Sequence, residues 1–213
     1  MFIASFDIGK KNLAFCVEKF DQNVIDENTI IDDMCKTGEI VCFENKSLMK
    51  NCDTKKYLDT EVFHNLTKLF DENMELWNSC DVFLIEQQMN RNIMALKIGQ
   101  HCFSYFLFKF GRTKRVIEFA AYHKTQALNA PRIPITKLLK NGTEKTLFRN
   151  MTKPERKKWS VKRTNEILTM RDDISSLDKL KGMRKRDDVS DCILMIQAYK
   201  FLLARKQIDG QLP

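Results

Sequence analysis

The stretch "SFDIGKKN", residues 5–12, decides how the fold is read. It ends the apolar run Met1-Phe2-Ile3-Ala4 with an aspartate, Asp7, where a buried strand should continue, and sets Gly9 two residues later. Residues 2–8 and 13–19 ("LAFCVEK") are rich in apolar and β-branched or aromatic types. The tight connection Gly9-Lys10-Lys11-Asn12 joins them, which predicts a β-hairpin with a carboxylate at the end of its first strand.

Working outward, "GEIVCFE" (38–44) supplies a third strand after a polar loop. Between Tyr57 and Trp77, the spacing of Leu58, Val62, Leu66, Leu69 and Trp77 predicts one amphipathic helix. "DVFLIEQQ" (81–88) is a compact apolar run suited to a buried parallel strand, and it too meets a carboxylate, Glu86. Residues 93–110 are apolar almost all round, as a largely covered helix requires, and "RVIEFAA" (115–121) reads as another strand. Pro131, Pro134 and Gly142 mark a loop region; Pro154 opens a basic helix to about Met170, and a last helix starts near Asp187. The predicted order through residue 121 is β-β-β-α-β-α-β.

A chain of 213 residues accommodates one well-buried domain, here with a polar insertion near 21–56 and a basic one near 131–186. No apolar stretch approaches the roughly 20 residues of a membrane span, and Asp7 interrupts the opening run too early for a secretory segment. The seven cysteines are scattered with no Cys-x-x-Cys pair, and the three histidines are far apart. Reduced core thiols in a reducing compartment are therefore expected rather than disulfides or zinc. The net charge of +8 is uneven: residues 111–186 carry 21 Lys and Arg against 7 Asp and Glu, whereas residues 1–110 carry 12 against 17. Runs such as "KPERKKWSVKR" (153–163) and "KLKGMRKR" (179–186) favour a phosphate backbone as partner, with Lys157, Lys158, Arg163, Arg184, Lys185 and Arg186 as contacts.

The acids form a pattern. Asp7 and Glu86 end strands, and "RDDVSDCILM" opens a helix with Asp187, Asp188 and Asp191; a spacing of three sets Asp188 and Asp191 on one face. Each alone has an ordinary explanation as a turn former, a solvated strand end or a helix cap. If the two strands are neighbours, their carboxylates emerge at one edge, and so many like charges together need compensation. All-oxygen ligation suits Mg²⁺ or Mn²⁺ better than Zn²⁺. Two such ions about 4 Å apart stabilise both the attacking water and the leaving oxygen of a phosphodiester displacement.

"FDIGKKN", "FLIEQQ" and "RDDVSDCILM", in this order, resemble RuvC-like Holliday junction resolvases, nearest to the poxvirus-type resolvases of large DNA viruses and then to the fungal mitochondrial ones. The resemblance spans Phe2 to about Ala204 but rests on three short motifs. It implies an α/β, ribonuclease-H-like fold: a mixed five-stranded sheet, three antiparallel N-terminal strands plus two parallel ones, flanked by helices. It also implies a homodimer that uses two Mg²⁺ per active site, with Mn²⁺ able to substitute, to nick four-way DNA junctions symmetrically in recombination and replication. Carried over, Asp7, Glu86, Asp188 and Asp191 are the catalytic and metal-binding acids, and Asp187 is a cap or an outer group. Gly9 and Asn12 shape the turn, with Gly9 letting backbone approach the cleft. Lys10 and Lys11 of that turn are further DNA contacts, and Lys124 falls where similar enzymes carry a basic residue near the scissile phosphate.

Other readings stay open: a different ribonuclease-H-like nuclease, for RNA:DNA hybrids or flaps; a non-catalytic binder of structured DNA; and, lowest, a sugar-kinase-like ATP-binding protein, for which no second glycine-rich loop is present. No small-molecule cofactor and no membrane are expected. The helix at 93–110 is the expected dimer contact. Viral kinship directs the expectation of location to host cytoplasm or nucleus, and the lack of an arginine-rich presequence directs it away from mitochondria.

Overall fold

The computed structural model describes residues 1–49, 59–138 and 143–205. Tyr57, Leu58 and Gly142, and Cys52 among the seven cysteines, lie outside them. The opening hairpin forms as the sequence predicts, from β1 (Phe2–Asp7) and β2 (Leu13–Lys19), with Asp7 opposite Ala14. A Cβ on Gly9 would lie 2.8 Å from the Asn12 carbonyl oxygen, so this glycine is required by the turn itself.

A short helix, α1 (Ile31–Lys36), precedes β3 (Glu39–Lys46), which pairs antiparallel with β2. The single helix predicted up to Trp77 is two in the described residues, α2 (Thr60–Glu72) and α3 (Met74–Ser79), divided at Asn73. Asn73 leaves helical geometry and its side chain donates to the Leu69 carbonyl, the local competition that makes asparagine a helix breaker. The parallel strands β4 (Val82–Glu86) and β5 (Arg115–Phe119) bracket α4 (Ile93–Phe110). The sheet order is β3-β2-β1-β4-β5, with β4 parallel to both β1 and β5.

After the sheet come α5 (Tyr122–Ala127), then β6 (Ile133–Leu138) and β7 (Glu144–Arg149), then α6 (Lys153–Met170), α7 (Ile174–Gly182) and α8 (Arg186–Ala204). The segment read as a loop around Pro131 and Pro134 is therefore largely a two-stranded antiparallel ribbon outside the main sheet. Pro134 is tolerated because the ribbon is all edge. No helix among the described residues is long and apolar enough to cross a membrane.

Two cores sandwich the sheet. On one face Ala4, Phe6, Phe15, Phe83 and Ile85 pack with Leu66, Phe70, Trp77 and Phe106 from α2, α3 and α4. On the other, Ile3, Cys16, Val82, Leu84 and Phe119 meet Val189, Cys192, Ile193 and Ile196 of α8. Helix α8 is buried along most of its length, and the Ser5 hydroxyl donates to the Cys192 carbonyl at 2.9 Å, tying it to β1. All six described cysteines are free thiols.

The far end of α8 crosses a buried charge cluster. Glu18 accepts from both terminal nitrogens of Arg171 at 3.1 Å, from Gln197 at 2.7 Å and from Lys200 at 3.0 Å, and Lys200 also donates to the Thr37 carbonyl. Gly38, at φ +97°, lets the chain pass close by: a Cβ there would strike the Glu18 carboxylate at 2.4 Å. Burial alone would raise the Glu18 pKa, but Lys200 and Arg171 outweigh it and hold the carboxyl below its usual range. Replacing Glu18 by Ala leaves two cations buried without their anion and should lower the urea-unfolding free energy at pH 7 by about 3–5 kcal/mol. Because the folded pKa lies below the unfolded one, this difference is fully present above the unfolded carboxylate range. It shrinks as pH falls through the folded value. A loss below about 1 kcal/mol at pH 7 would refute the argument.

Candidate active site

Side chains alternate along a strand, and Phe6 of β1 lies opposite Ile85 of β4. Ile3 and Ser5 face α8, so Asp7 does too; Val82 and Leu84 face α8, so Glu86 does too. Both carboxylates thus emerge at the carboxyl ends of adjacent parallel strands, on the face covered by α8, where its first turns bring Asp187, Asp188 and Asp191.

The structure joins Asp7, Glu86 and Asp191 around one cation, Lys124. The Lys124 ammonium, on α5 and only 5% exposed, donates to Glu86 Oε1 at 2.8 Å and lies 3.4 Å from Asp191 Oδ2. Asp7 and Glu86 are hydrogen-bonded to each other. Gln88 Nε2 donates to Glu86 Oε2 at 3.2 Å, and Ser160 Oγ of α6 donates to Asp191 Oδ1 at 2.7 Å. Asp188 stands one helical turn away. It accepts from Asn45 Nδ2 at 3.4 Å and lies 3.8 Å from Lys157 Nζ, while Asp187 is bonded directly to Lys157. Asp187 is not the cap: that position belongs to Lys185, without a side-chain bond.

Burial, then the charges of Glu86 and Asp191, push the Asp7 carboxyl well above its usual range, against the pull of Lys124. Burial acts the same way on Glu86, but Lys124 and hydrogen bonds from Lys124, Asp7 and Gln88 hold that carboxyl below its ordinary value. The two shifts run in opposite directions, so of the pair Asp7 is the acid that takes up a proton first as the pH falls. Burial works against the Lys124 charge, yet Glu86, Asp191 and Asp7 keep its pKa raised. Asp188 is raised by burial and by the neighbouring Asp187, whereas Lys157 outweighs burial and lowers Asp187.

Among the described residues, no group of three or more His, Cys, Asp or Glu side chains stands ready-made to hold a metal ion. The donors nevertheless fit one: they are hard carboxylate oxygens, the chain already places a cation among them, and Asp7 lacks the positive charge its ionised form requires. Of the other residues singled out from sequence, Lys11, Lys158, Arg184, Lys185 and Arg186 are exposed and Lys10 is half-buried in the β1–β2 turn. Arg163 is turned inward, paired with Asp32 of α1 at 2.5 Å and with Glu166 at 3.2 Å. Sequence reasoning missed Ser160, Asn45 and Gln88. Only Gln88 carried a signal, as the residue two places beyond Glu86.

No protein-family model matches the chain. Among solved structures it is similar to the fowlpox virus resolvase in complex with its substrate Holliday junction DNA (TM-score 0.60, 18% identity, 95% of this chain and 99% of that one). It is also similar to the yeast mitochondrial Holliday junction resolvase Ydc2 (0.59, 13%, 96% and 82%) and to Thermus thermophilus RuvC (0.57, 12%, 95% and 95%). The fold is thus the ribonuclease-H-like fold of RuvC-like resolvases. In sequence, the chain is 36% identical over 220 residues to uncharacterized protein 170L of invertebrate iridescent virus 6, covering 95% of this chain and 89% of that protein. It is 31% identical over 225 residues to uncharacterized protein 97L of invertebrate iridescent virus 3, covering 93% and 98%. The chain belongs to the iridescent-virus protein family that contains these two.

The charge imbalance at Asp7 has a measurable consequence. Its folded pKa is above the unfolded one, so the stability it contributes is present below the unfolded value and is lost as pH rises through the folded value. Asn loses nothing on that path. In EDTA at pH 7, Asp7→Asn should melt about 2–4 °C higher than the parent, corresponding to roughly 1 kcal/mol, and the gap should close in acid. A variant that melts lower at pH 7 would mean that the ionised Asp7 is fully compensated.

Proposed function

We propose that this protein is a divalent-metal-dependent endonuclease that resolves four-way DNA junctions as a homodimer. The observation that carries the reading is the meeting of Asp7, Glu86 and Asp191 around Lys124 at the edge of a sheet whose fold is that of Holliday junction resolvases. Asp7, Glu86, Asp188 and Asp191 would hold two Mg²⁺, with Mn²⁺ able to substitute. Bound there, such ions supply Lewis acidity toward a phosphodiester and its attacking water. Asp7 would have to be ionised to act as a ligand, and Gln88 and Ser160 fix the oxygens of Glu86 and Asp191. Lys124 presents its charge where a nonbridging phosphate oxygen would lie. Lys10 and Lys11 lie in the turn after Asp7, Arg184, Lys185 and Arg186 lead into Asp187, and these with Lys158 would follow the DNA backbone; Lys157 would join them from its place beside Asp187. Arg163 serves in this reading to brace α6 against α1.

The second copy is assigned to the face of α4 that is exposed among the described residues, which is apolar at both ends, through Ile93 and Leu96 and through Leu107 and Phe108, the last 89% exposed. A twofold enzyme presents equivalent sites to the two equivalent strands of a junction. The viral relatives point to viral DNA as the working substrate, in host cytoplasm or nucleus.

With a labelled four-way junction in Mg²⁺, paired symmetric nicks are expected, absent in EDTA and absent from a linear duplex and an RNA:DNA hybrid. Asp7→Asn and Asp188→Asn should each lower single-turnover cutting on the order of 10³-fold. Cutting of the hybrid in preference to the junction, or tight junction binding with no cutting in any divalent metal, would overturn the assignment. In sedimentation at micromolar concentration the parent should run as a dimer and Leu107→Glu/Phe108→Glu as a monomer; a monomeric parent with and without DNA refutes the α4 contact.

A further inference from the structure

The ribbon formed by β6 and β7 has no part in the sheet, and neither strand packs to any appreciable extent against another described element. An isolated two-stranded ribbon is marginal in water. This one also exposes large apolar side chains: Leu138 is 67% exposed, Phe148 62%, and Ile135 is exposed as well. Its register sets Lys137 directly opposite Lys145. Like charges at directly opposed positions weaken a strand pair, and among the described residues neither lysine has an acidic partner. Such a pair is unfavourable in the free protein and becomes favourable only against an anion.

The root of the ribbon is firmly held. Arg149, the last residue of β7, makes two bonds to Glu155 at 2.7 and 2.8 Å, and the same carboxylate closes the capping box with Thr152 that starts α6. Helix α6 carries Ser160 and Lys157, which touch Asp191 and Asp187, and β6 follows α5, which carries Lys124. The ribbon therefore springs from the two elements that wall the carboxylate cleft. Its six-residue strands extend roughly 20 Å, and a two-stranded ribbon of this kind matches the width of a DNA major groove.

We propose that this ribbon is a DNA-gripping arm that lies along a duplex arm of the substrate, with Lys137 and Lys145 paired to backbone phosphates outside the cleavage centre. The inference rests on the junction-nuclease reading for its substrate. Charge complementarity favours DNA over a protein surface, because two opposed lysines without an acid require a polyanion.

The experiment measures binding of the full-length chain to a labelled four-way junction and to a matched linear duplex in EDTA, by anisotropy across a salt series. The parent is compared with Lys137→Ala/Lys145→Ala. Each lost phosphate contact removes about 0.9 from the slope of log affinity against log salt, so the double variant should be shallower by about 2 and bind several-fold more weakly on both DNAs at low salt. Its melting temperature should equal or exceed the parent's, because a like-charge pair has been removed. An unchanged slope with an unchanged melting temperature overturns the proposal. If Phe148→Ser converts a dimeric parent to monomer while the lysine variant keeps its slope, the ribbon grips a second copy and the proposal likewise fails. The readout uses no metal: a parent that never cuts junctions refutes the nuclease reading, while the slope still decides the arm.

Discussion

The constraint that organises this molecule is the repulsion among Asp7, Glu86 and Asp191, held at one sheet edge with a single ammonium between them. Among the described residues three carboxylates meet one cation and do not neutralise, and burial together with Glu86 and Asp191 raises the Asp7 pKa. A protein keeps such an arrangement only if something stronger fixes the backbone beneath it. Here that is the apolar packing of α8 against β1 and β4, reinforced by the Ser5 bond to the Cys192 carbonyl. The strands cannot splay to relieve the acids without opening that core.

The two ends of α8 treat charge in opposite ways. Near Lys200 every polar atom of Glu18 is met by a donor, and the cluster closes on itself through Arg171 and Gln197. A fully satisfied buried network of this kind fixes geometry. At the Asp187 end, among the described residues, the acids outnumber the cations that reach them. One helix thus runs from a saturated anchor to an unsaturated site. The position of Asp191 against Lys124 inherits its definition from the anchor at the other end.

Much of this was legible in the chain because it is written in periodicity. Strands β1, β2 and β4 and helices α4, α6 and α8 are long or strongly patterned, and Asp7 and Glu86 stand out as acids that end apolar runs. What escaped was short or reciprocal. Helices α1 and α5 span six residues each, too few turns for a pattern to accumulate. The break at Asn73 depends on one side-chain bond to Leu69. Pro131 and Pro134 signal turns in the sequence, whereas a strand with one free edge accepts proline, so the ribbon has no clear local mark. Ser160 and Asn45 had no local mark, since their partners lie 31 and 143 residues away.

The basic segment is where sequence and structure differ most usefully. Its excess of cations was read as a surface for phosphate, yet several of them are spent on the protein itself. Lys124 serves Glu86 and Asp191, Lys157 serves Asp187, Arg163 reaches Asp32 and Arg171 reaches Glu18. Each of these links the positive middle of the chain to the acidic first part or to the start of α8. The asymmetry is therefore in part an internal complementarity, in which an acidic sheet edge and a basic helical layer are folded onto each other. Many cations of the segment still face outward: Lys158, Arg184, Lys185 and Arg186, Lys137 and Lys145 on the ribbon, and Arg132, Lys153, Arg156, Lys162 and Lys181 besides. Subtracting the internal pairs separates the cations that brace the fold from those that a polyanion could reach.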